Sequence, residues 1–488
     1  MFNFHVAIIG GGVIGSAIAR ELSKYKINVI VFEMGSDVAS GASKANSGVV
    51  HSGINSAEFS LKARFCVEGN KMFQHLADEL NLPLKWIGKL VIAKNDEEIN
   101  KLERLKNVGL KNGVTGLKLV RGTELKKQEP HISCVSGLWV PTAGITLPYQ
   151  FTIILAENSI ENDIKFLLET KVKGLKKIND HFQIETNKGN FQSDIVINAA
   201  GLNCREIVSM IEEPDFNVYP CRGEYLVIDK NYSSLINSMI YPIPVEEHGF
   251  LGIHITPTIE GNLLLGPSAE YINNLNDKKT TKEKMNIIFS EAKEIIPFLS
   301  KKAIINAYAG IRCKLSPPES NKQADYIVEE SKKTPGFINL VGIESPGLTA
   351  APAIAIEVSN IVSKSIELKQ KNKFKYKCNK RIRFSEMPTK EQSALIKKDN
   401  RWGRIVCRCE NVTEAEVIKA LSNPLEAQTL SSVKYRCRAG MGRCQGGFCT
   451  QHIVRIMEKN FNLDIKNMKL KSPDSKLFYG RVRGKKGD

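Results

Sequence analysis

Four cysteines close to the end of the 488-residue chain have the types and spacing of metal ligands. Cys407 and Cys409 flank one residue, Cys444 and Cys449 flank four, and 34 residues separate the two pairs. Zinc knuckles usually draw on cysteines two to four residues apart, so the first pair is tight for zinc and the second loose. An iron–sulfur cluster spreads its ligands over two irons and tolerates unequal pairs. The glycines of GMGRCQGGFC let backbone N–H groups turn toward the sulfurs. On spacing alone the choice lies between iron–sulfur, zinc and no metal, in that order. Cys66, Cys134, Cys204, Cys221, Cys313 and Cys378 are scattered and read as small buried hydrophobes or inert thiols.

The other end of the chain points to a nucleotide. Gly10, Gly12 and Gly15 form a Gly-x-Gly-x-x-Gly pattern after the apolar run FHVAII, at the start of a stretch with helical spacing, and NVIVFE follows. That is a β-α-β unit, the context that gives the glycines their meaning. The first makes a tight turn, the second admits a pyrophosphate to the backbone, and the third lets helix and strand approach. The helix N-terminus offers free N–H groups and partial positive charge. Glu33, 18 residues after Gly15, is placed to accept from a ribose hydroxyl. The unit by itself does not separate FAD from NAD.

Six further motifs do so by likeness. SGASKANSGVVHSGI, DIVINAAGLNC, CRGEYLVI, GNLLLGPSAE, YAGIRCKL and GFINLVGIESPGLTAAPAIA occur in one order across about 350 residues. Together they resemble the D-amino-acid-oxidase superfamily of FAD enzymes, and within it the glycerol-3-phosphate and L-2-hydroxyglutarate dehydrogenases and oxidases. The resemblance implies FAD, with its adenosine on the first β-α-β unit. It sets Ser40, Gly41, Ser43, Ser47 and Gly48 along pyrophosphate and flavin, and Ser345, Gly347 and Thr349, with Gly342 before them, near the pyrimidine edge of the ring. The latter residues begin a helix whose N–H groups suit negative charge on a reduced flavin. Gly201 ends a second strand that would approach the same cofactor.

Flavin oxidation of a C–OH or C–NH bond needs a base beside the ring. The resemblance makes His51 the first candidate and His254 the second; for each, a hydrogen-bonded core histidine is the bland alternative. Arg312 in YAGIRCKL is the expected anion clamp, since a guanidinium grips carboxylate or phosphate through paired hydrogen bonds. Cys313 follows it where relatives often carry proline. Arg222 and Tyr225 read as positioning residues. The segment from GRIVCRCENVTEAEV through RCRAGMGRCQGGFCTQHIV resembles the bacterioferritin-associated-ferredoxin-like [2Fe–2S] domain, which implies Cys407, Cys409, Cys444 and Cys449 as ligands. Cys437, often threonine in relatives, is left out. The implied activity is an FAD-dependent dehydrogenase for a small anionic hydroxy substrate, glycerol 3-phosphate first, passing electrons through the cluster. The alternatives are a 2-hydroxy-acid enzyme for L-2-hydroxyglutarate, a proline-type amino-acid dehydrogenase subunit, and a non-catalytic redox or scaffold subunit.

The elements that must position these residues follow from the pattern of apolar runs. Strand-like runs such as KLVIAK, GEYLVID and NLLLGP alternate with helical stretches such as SLKARFCVEGNKMFQHLADEL. The expected architecture is an α/β, Rossmann-type FAD domain joined to an α+β substrate domain on an antiparallel sheet, plus a small helical iron–sulfur domain. The oxidoreductase part is expected over 1–364, with FAD-binding parts near 1–80, 150–215 and 305–364 and substrate parts near 81–149 and 216–304. A basic linker is expected over 365–400, the cluster domain over 401–465 and a basic tail over 466–488. Thr413 and Glu416 are spaced as a capping box.

Composition sets the outer bounds. The chain is 42% hydrophobic and 25% charged, so extensive disorder is excluded. No apolar run reaches the roughly 18 residues of a membrane span, and no signal peptide is read. Eleven cysteines without a secretion signal fit a reducing cytoplasm; peripheral membrane contact stays open. The net charge of +17 lies entirely beyond Ser365, where 29 Lys and Arg face 12 Asp and Glu. No nucleic-acid module accompanies it. A solvated linker and a docking face for an acidic redox partner or subunit are the expected roles.

Overall fold

The computed structural model describes residues 2–244, 251–320 and 323–480. Two sheets and a small helical domain organise them. In chain order, the elements that carry the site begin with strand β1 (Phe2–Ile9), helix α1 (Val13–Leu22), β2 (Val29–Phe32) and α2 (Leu61–Leu80). Next come β3 (Lys89–Ala93), α3 (Pro148–Glu161), β4 (Gly189–Asn198), β5 (Tyr219–Ile228), β6 (Met239–Pro242) and β7 (His254–Pro257). The oxidoreductase part closes with β8 (Ile304–Lys314), β9 (Phe337–Val341) and α4 (Gly347–Val362).

The first sheet has eight strands, with β1 at its centre. β1 runs parallel to both β2 and β4, and Ile9 lies level with Phe32 on one side and Asn198 on the other. Three parallel strands therefore end together, and the residues just past them, Gly10, Glu33 and Ala199–Gly201, share one crevice. Ligands of open α/β sheets bind in such a crevice. β2 is short, wholly apolar and buried throughout, as suits a parallel strand covered on both faces. Gly15 permits α1 to settle onto β1, since a Cβ there would stand 2.0 Å from the Gly10 carbonyl oxygen.

The second sheet has nine strands and is largely antiparallel, with one parallel pair, β3 with β6. Its register aligns Cys221 with Arg312 and Tyr225 with Tyr308. Residues 304–314 were expected in the FAD-binding part; the structure places them here instead. β8 pairs with β5 along almost its full length, and that ladder outweighs its nearness in sequence to β9.

The C-terminal domain contains helices α5 (Glu414–Leu421), α6 (Leu430–Cys437) and α7 (Thr450–Phe461) around its own apolar core. The Thr413–Glu416 capping box forms as the spacing predicts. The stretch between the domains is not wholly irregular, because Thr389–Lys398 is helical. That helix has no buried residue, so it left no apolar pattern to read. The first part of the expected basic tail packs: Met468 is buried, with Leu477 and Phe478 against the same core. Among the described residues no helix is long and apolar enough to cross a membrane.

Candidate active site and cysteine cluster

A single cavity of ≈ 1390 Å³ runs from the crevice of the first sheet to the face of the second. At the crevice end Gly10 has φ +113°, and a Cβ would meet the Ala199 carbonyl oxygen at 2.4 Å. Glu33 is buried, and its carboxylate accepts the Gly11 N–H at 2.8 Å and the Gly35 N–H at 2.7 Å. It shapes the glycine turn as well as facing the cavity. Burial raises its pKa, against those two N–H groups. Ser43 Oγ accepts the Val13 N–H at 2.9 Å and so stands at the start of α1. Gly41 and Gly201 face open space, with nothing within 4 Å of a Cβ.

At the far end, Lys89, Tyr241 and His254 lie on three neighbouring strands, β3, β6 and β7. His254 stacks on Tyr241 with ring centroids 3.8 Å apart and 13° between planes. Its Nδ1 is buried without a hydrogen-bond partner. Burial holds its imidazole well below the usual range, helped by His51, Lys89 and Arg312, so all four groups share one electrostatic neighbourhood. His51 presents Nε2 to Ser345 Oγ at 3.3 Å, while its backbone N–H donates to Thr349 Oγ1 at 2.8 Å. Burial, then the Lys89 ammonium, pushes the His51 imidazole down to about 3. It is therefore neutral and can accept a proton. Arg312 donates through one terminal nitrogen to the Ser268 carbonyl at 2.7 Å. That anchor aims the guanidinium, and Gly223 leaves room for it.

His51, His254 and Arg312 thus line the same cavity, with Gly10, Gly12, Glu33, Ser40, Gly41, Ser43, Ser47, Gly201, Ser345 and Gly347. Gly15, Gly48, Gly342 and Thr349 do not line it. Their work is to shape it: Gly48 has φ +69° against the Thr146 carbonyl, and Thr349 is fully buried and holds the His51 backbone. Tyr225 hydrogen-bonds Ser47. Arg222 faces Glu270 at 2.6 Å and Asp277 at 2.8 Å, which makes it a structural ion-pair residue. The stretch 245–250, part of the motif around His254, lies outside the described residues.

Lys89 was missed. It is 1% exposed, lines the cavity, and holds its Nζ 4.8 Å from the centre of the Tyr241 ring. Burial pushes its ammonium down to about 8. In sequence it is one lysine among many; only its place at the head of the apolar run LVIA hinted at it.

The four cysteines come together at the other site. Cys407 ends a strand paired with Val412–Thr413, and Cys449 immediately precedes α7. The thiols meet in two hydrogen-bonded pairs, Cys407 with Cys449 and Cys409 with Cys444. The Cys449 contact, with N–H groups of Gly440, Glu410 and Cys409, draws Cys407 down to about 6. N–H groups of Phe448 and Gly446 likewise lower Cys444. Two thiol pairs with converging N–H donors suit two irons. Gly442 is required by this packing, because a Cβ would lie 2.3 Å from the Cys409 Cβ. Cys437 instead donates to the Val433 carbonyl of its own helix, and burial pushes its thiol up to about 12.

Comparison with known proteins agrees with both sites. Residues 5–361 match the model of the FAD dependent oxidoreductase family. The chain belongs to that family. Residues 405–459 match the BFD-like [2Fe-2S] binding domain. The chain is thus an FAD-dependent oxidoreductase with a [2Fe–2S] domain. It is 37% identical over 484 residues to a glycerol 3-phosphate dehydrogenase of Caloramator mitchellensis, covering 98% of this chain and 99% of that one. It is 32% identical to a mitochondrial L-2-hydroxyglutarate dehydrogenase of Arabidopsis thaliana, over 72% of this chain and 82% of that one. Among solved structures, dithionite-reduced L-alpha-glycerophosphate oxidase from Mycoplasma pneumoniae with FAD bound superimposes with a TM-score of 0.72. It is 29% identical and covers 78% of this chain and 99% of that one. The cavity fits the cofactor: a glycine-lined crevice beside Glu33 at one end and a polar, cationic face at the other suit a dinucleotide with a reactive ring.

Proposed function

We propose that this oxidoreductase oxidises the C2 hydroxyl of glycerol 3-phosphate and passes the electrons out through its [2Fe–2S] domain. The observation that carries the reading is the Caloramator relative, whose likeness spans both domains end to end. Bound FAD supplies a hydride acceptor and the cluster a one-electron relay. In the cavity, Arg312 and Lys89 offer positive charge to a phosphate dianion. Neutral His51, steadied by Ser345 Oγ, takes the hydroxyl proton as the C2 hydride leaves. A dianion beside His51 raises its pKa from that low value, which suits it to hold that proton. His254 and Tyr241 close the cavity opposite.

Cys409, Cys444, Arg408 and Arg443 are exposed. This face is the outlet, and an acidic electron carrier or a membrane-bound acceptor system is the partner that fits it. L-2-hydroxyglutarate is the second reading: His254 is the side chain whose motif favours it, and a relative at 32% identity carries that name. Anaerobic mixing with glycerol 3-phosphate, L-2-hydroxyglutarate, lactate and proline separates the readings. Flavin bleaching and a reduced-cluster electron spin resonance signal are expected with glycerol 3-phosphate. Bleaching by one of the other three alone would overturn the assignment. Complete turnover into hydrogen peroxide without cluster reduction would overturn the electron outlet.

A further inference from the structure

The C-terminal segment beyond α7 lies outside both matched family regions, which end at residues 361 and 459. It reaches back across the molecule. Lys471, Ser472, Pro473 and Asp474 line the cavity at the end occupied by Glu33, Met34 and Gly35. These residues form the tip of an ordered loop. A bridge between Lys469 and Lys476 closes its base. Ser475 Oγ accepts the Lys471 N–H at 2.9 Å and the Ser472 N–H at 2.7 Å. The Ser475 carbonyl accepts the Leu470 N–H at 2.8 Å. So the tip has a fixed shape before any ligand arrives.

Both domains hold this loop. On the cluster-domain side, the N–H groups of Leu430 and Ser431, at the start of α6, donate to the carbonyls of Lys469 and Leu470. On the flavin-domain side, Lys469 Nζ bonds Glu169 at 2.5 Å. Glu169 also accepts from Ser36 Oγ at 2.6 Å, and its N–H donates to the Gly35 carbonyl, next to the glycine turn.

The charge at this mouth calls for an anion. Lys44, Lys278 and Lys471 all line the cavity there. None of the three forms an ion pair with a carboxylate among the described residues. Burial, then Lys278, pushes Lys44 down to about 8, with Lys471 adding to the effect. Like charges held this close in a recess are stabilised by an anionic ligand.

We propose that the 470–475 loop is a clasp on the adenosine diphosphate half of FAD. Lys471 joins Lys44 and Lys278 in facing the pyrophosphate, and the loop closes that end of the cavity, so the iron–sulfur domain helps hold the flavin. Because one element joins the cluster domain to the flavin cavity, the stability of the cluster domain and the affinity for FAD are linked, and the linkage is reciprocal.

The test uses the full-length chain, stripped of flavin and titrated with FAD by fluorescence quenching, with iron per chain measured in parallel. Lys471→Glu is expected to weaken FAD binding about tenfold or more, as losing a charge-assisted contact does, with iron content unchanged. Lys476→Glu, on the same loop but off the cavity, is expected to keep the parental affinity. Lys471→Ala serves if the charge reversal does not accumulate, with a smaller loss in the same direction. Parental FAD affinity in the Lys471 variants overturns the clasp. The proposal rests on FAD as the occupant of the cavity: a parental chain that binds no flavin would overturn that reading instead, so the two failures are distinguishable.

Discussion

Lys89 occupies a position that stability alone would not select. It is buried to 1% exposure, its Nζ lies 4.8 Å from the centre of the Tyr241 ring, and its ammonium is pushed down to about 8. The folded protein binds fewer protons there than the unfolded chain between pH 8 and 10.5, so stability rises with pH across that window and the cost is fully present below it. Lys89→Met should therefore stabilise the substrate-free protein at pH 7 by roughly 3 kcal/mol, with the gain shrinking from pH 8 to 10.5 in denaturant titrations. The same variant should lower kcat/KM sharply, the trade expected where an unpaired charge serves a ligand. Unchanged kcat/KM would remove Lys89 from the site. His51 gives the same sign in an acid window. Its imidazole is held at about 3 in the fold, below its unfolded value near 6.5, so stability is complete above about pH 6.5 and declines as pH falls toward 3. His51→Asn should flatten that acid limb in melts between pH 4 and 7, and should abolish turnover.

At the scale of elements, the site depends on how closely α2 and α4 cross. A Cβ at Gly69 on α2 would stand 2.0 Å from the Thr349 carbonyl oxygen on α4. Thr349 in turn holds the His51 backbone through its hydroxyl. Gly69→Ala must force the helices apart, and should cost about 1–3 kcal/mol in thermal melts while reducing turnover. Equal stability with parental turnover would show that the helices can yield. Much of this level was legible beforehand. The apolar periodicity of Leu61–Leu80 and Pro148–Glu161, and the glycine-ended strands, announce themselves in one dimension. The helix Thr389–Lys398 did not, because a helix with no buried face has no stripe. The pairing of β8 with Tyr219–Ile228 was not legible, because it is a long-range choice that its own residues do not encode.

For the whole molecule, the basic C-terminal quarter has an unexpected use. Arg436 is buried between Asp37, at 2.5 Å, and Glu157, at 3.0 Å. Arg381 also meets Glu157, Arg383 meets Glu260, and Arg438 lies between Glu410 and Glu260. Tyr435 packs against Tyr149 with the rings tilted by 46° and their centroids 5.0 Å apart. Part of the cationic excess is therefore spent on docking the cluster domain against carboxylates of the flavin domain, and only the rest is free for an outside carrier. Arg436→Met leaves Asp37 buried without its cation and Glu157 with Arg381 alone, a change that typically costs about 3–5 kcal/mol. The expected result is separate melting of cluster and flavin absorbance and faster protease cleavage in 365–383. A single cooperative transition at the parental temperature would refute this account of the interface.

What the sequence determined by itself was chemistry of short range: the glycine turn at Gly10–Gly15, the cysteine pairs, the motif order that names a flavin family. These depend on spacing within a few residues, where chain geometry leaves little choice. Tertiary structure alone decided which charged groups face the cavity, which cations pair internally, and where residues 466–480 go. Lys89, Arg436 and Lys471 look alike as letters. Their roles come from partners brought close by sheet register and domain docking, and from burial that changes what a positive charge costs.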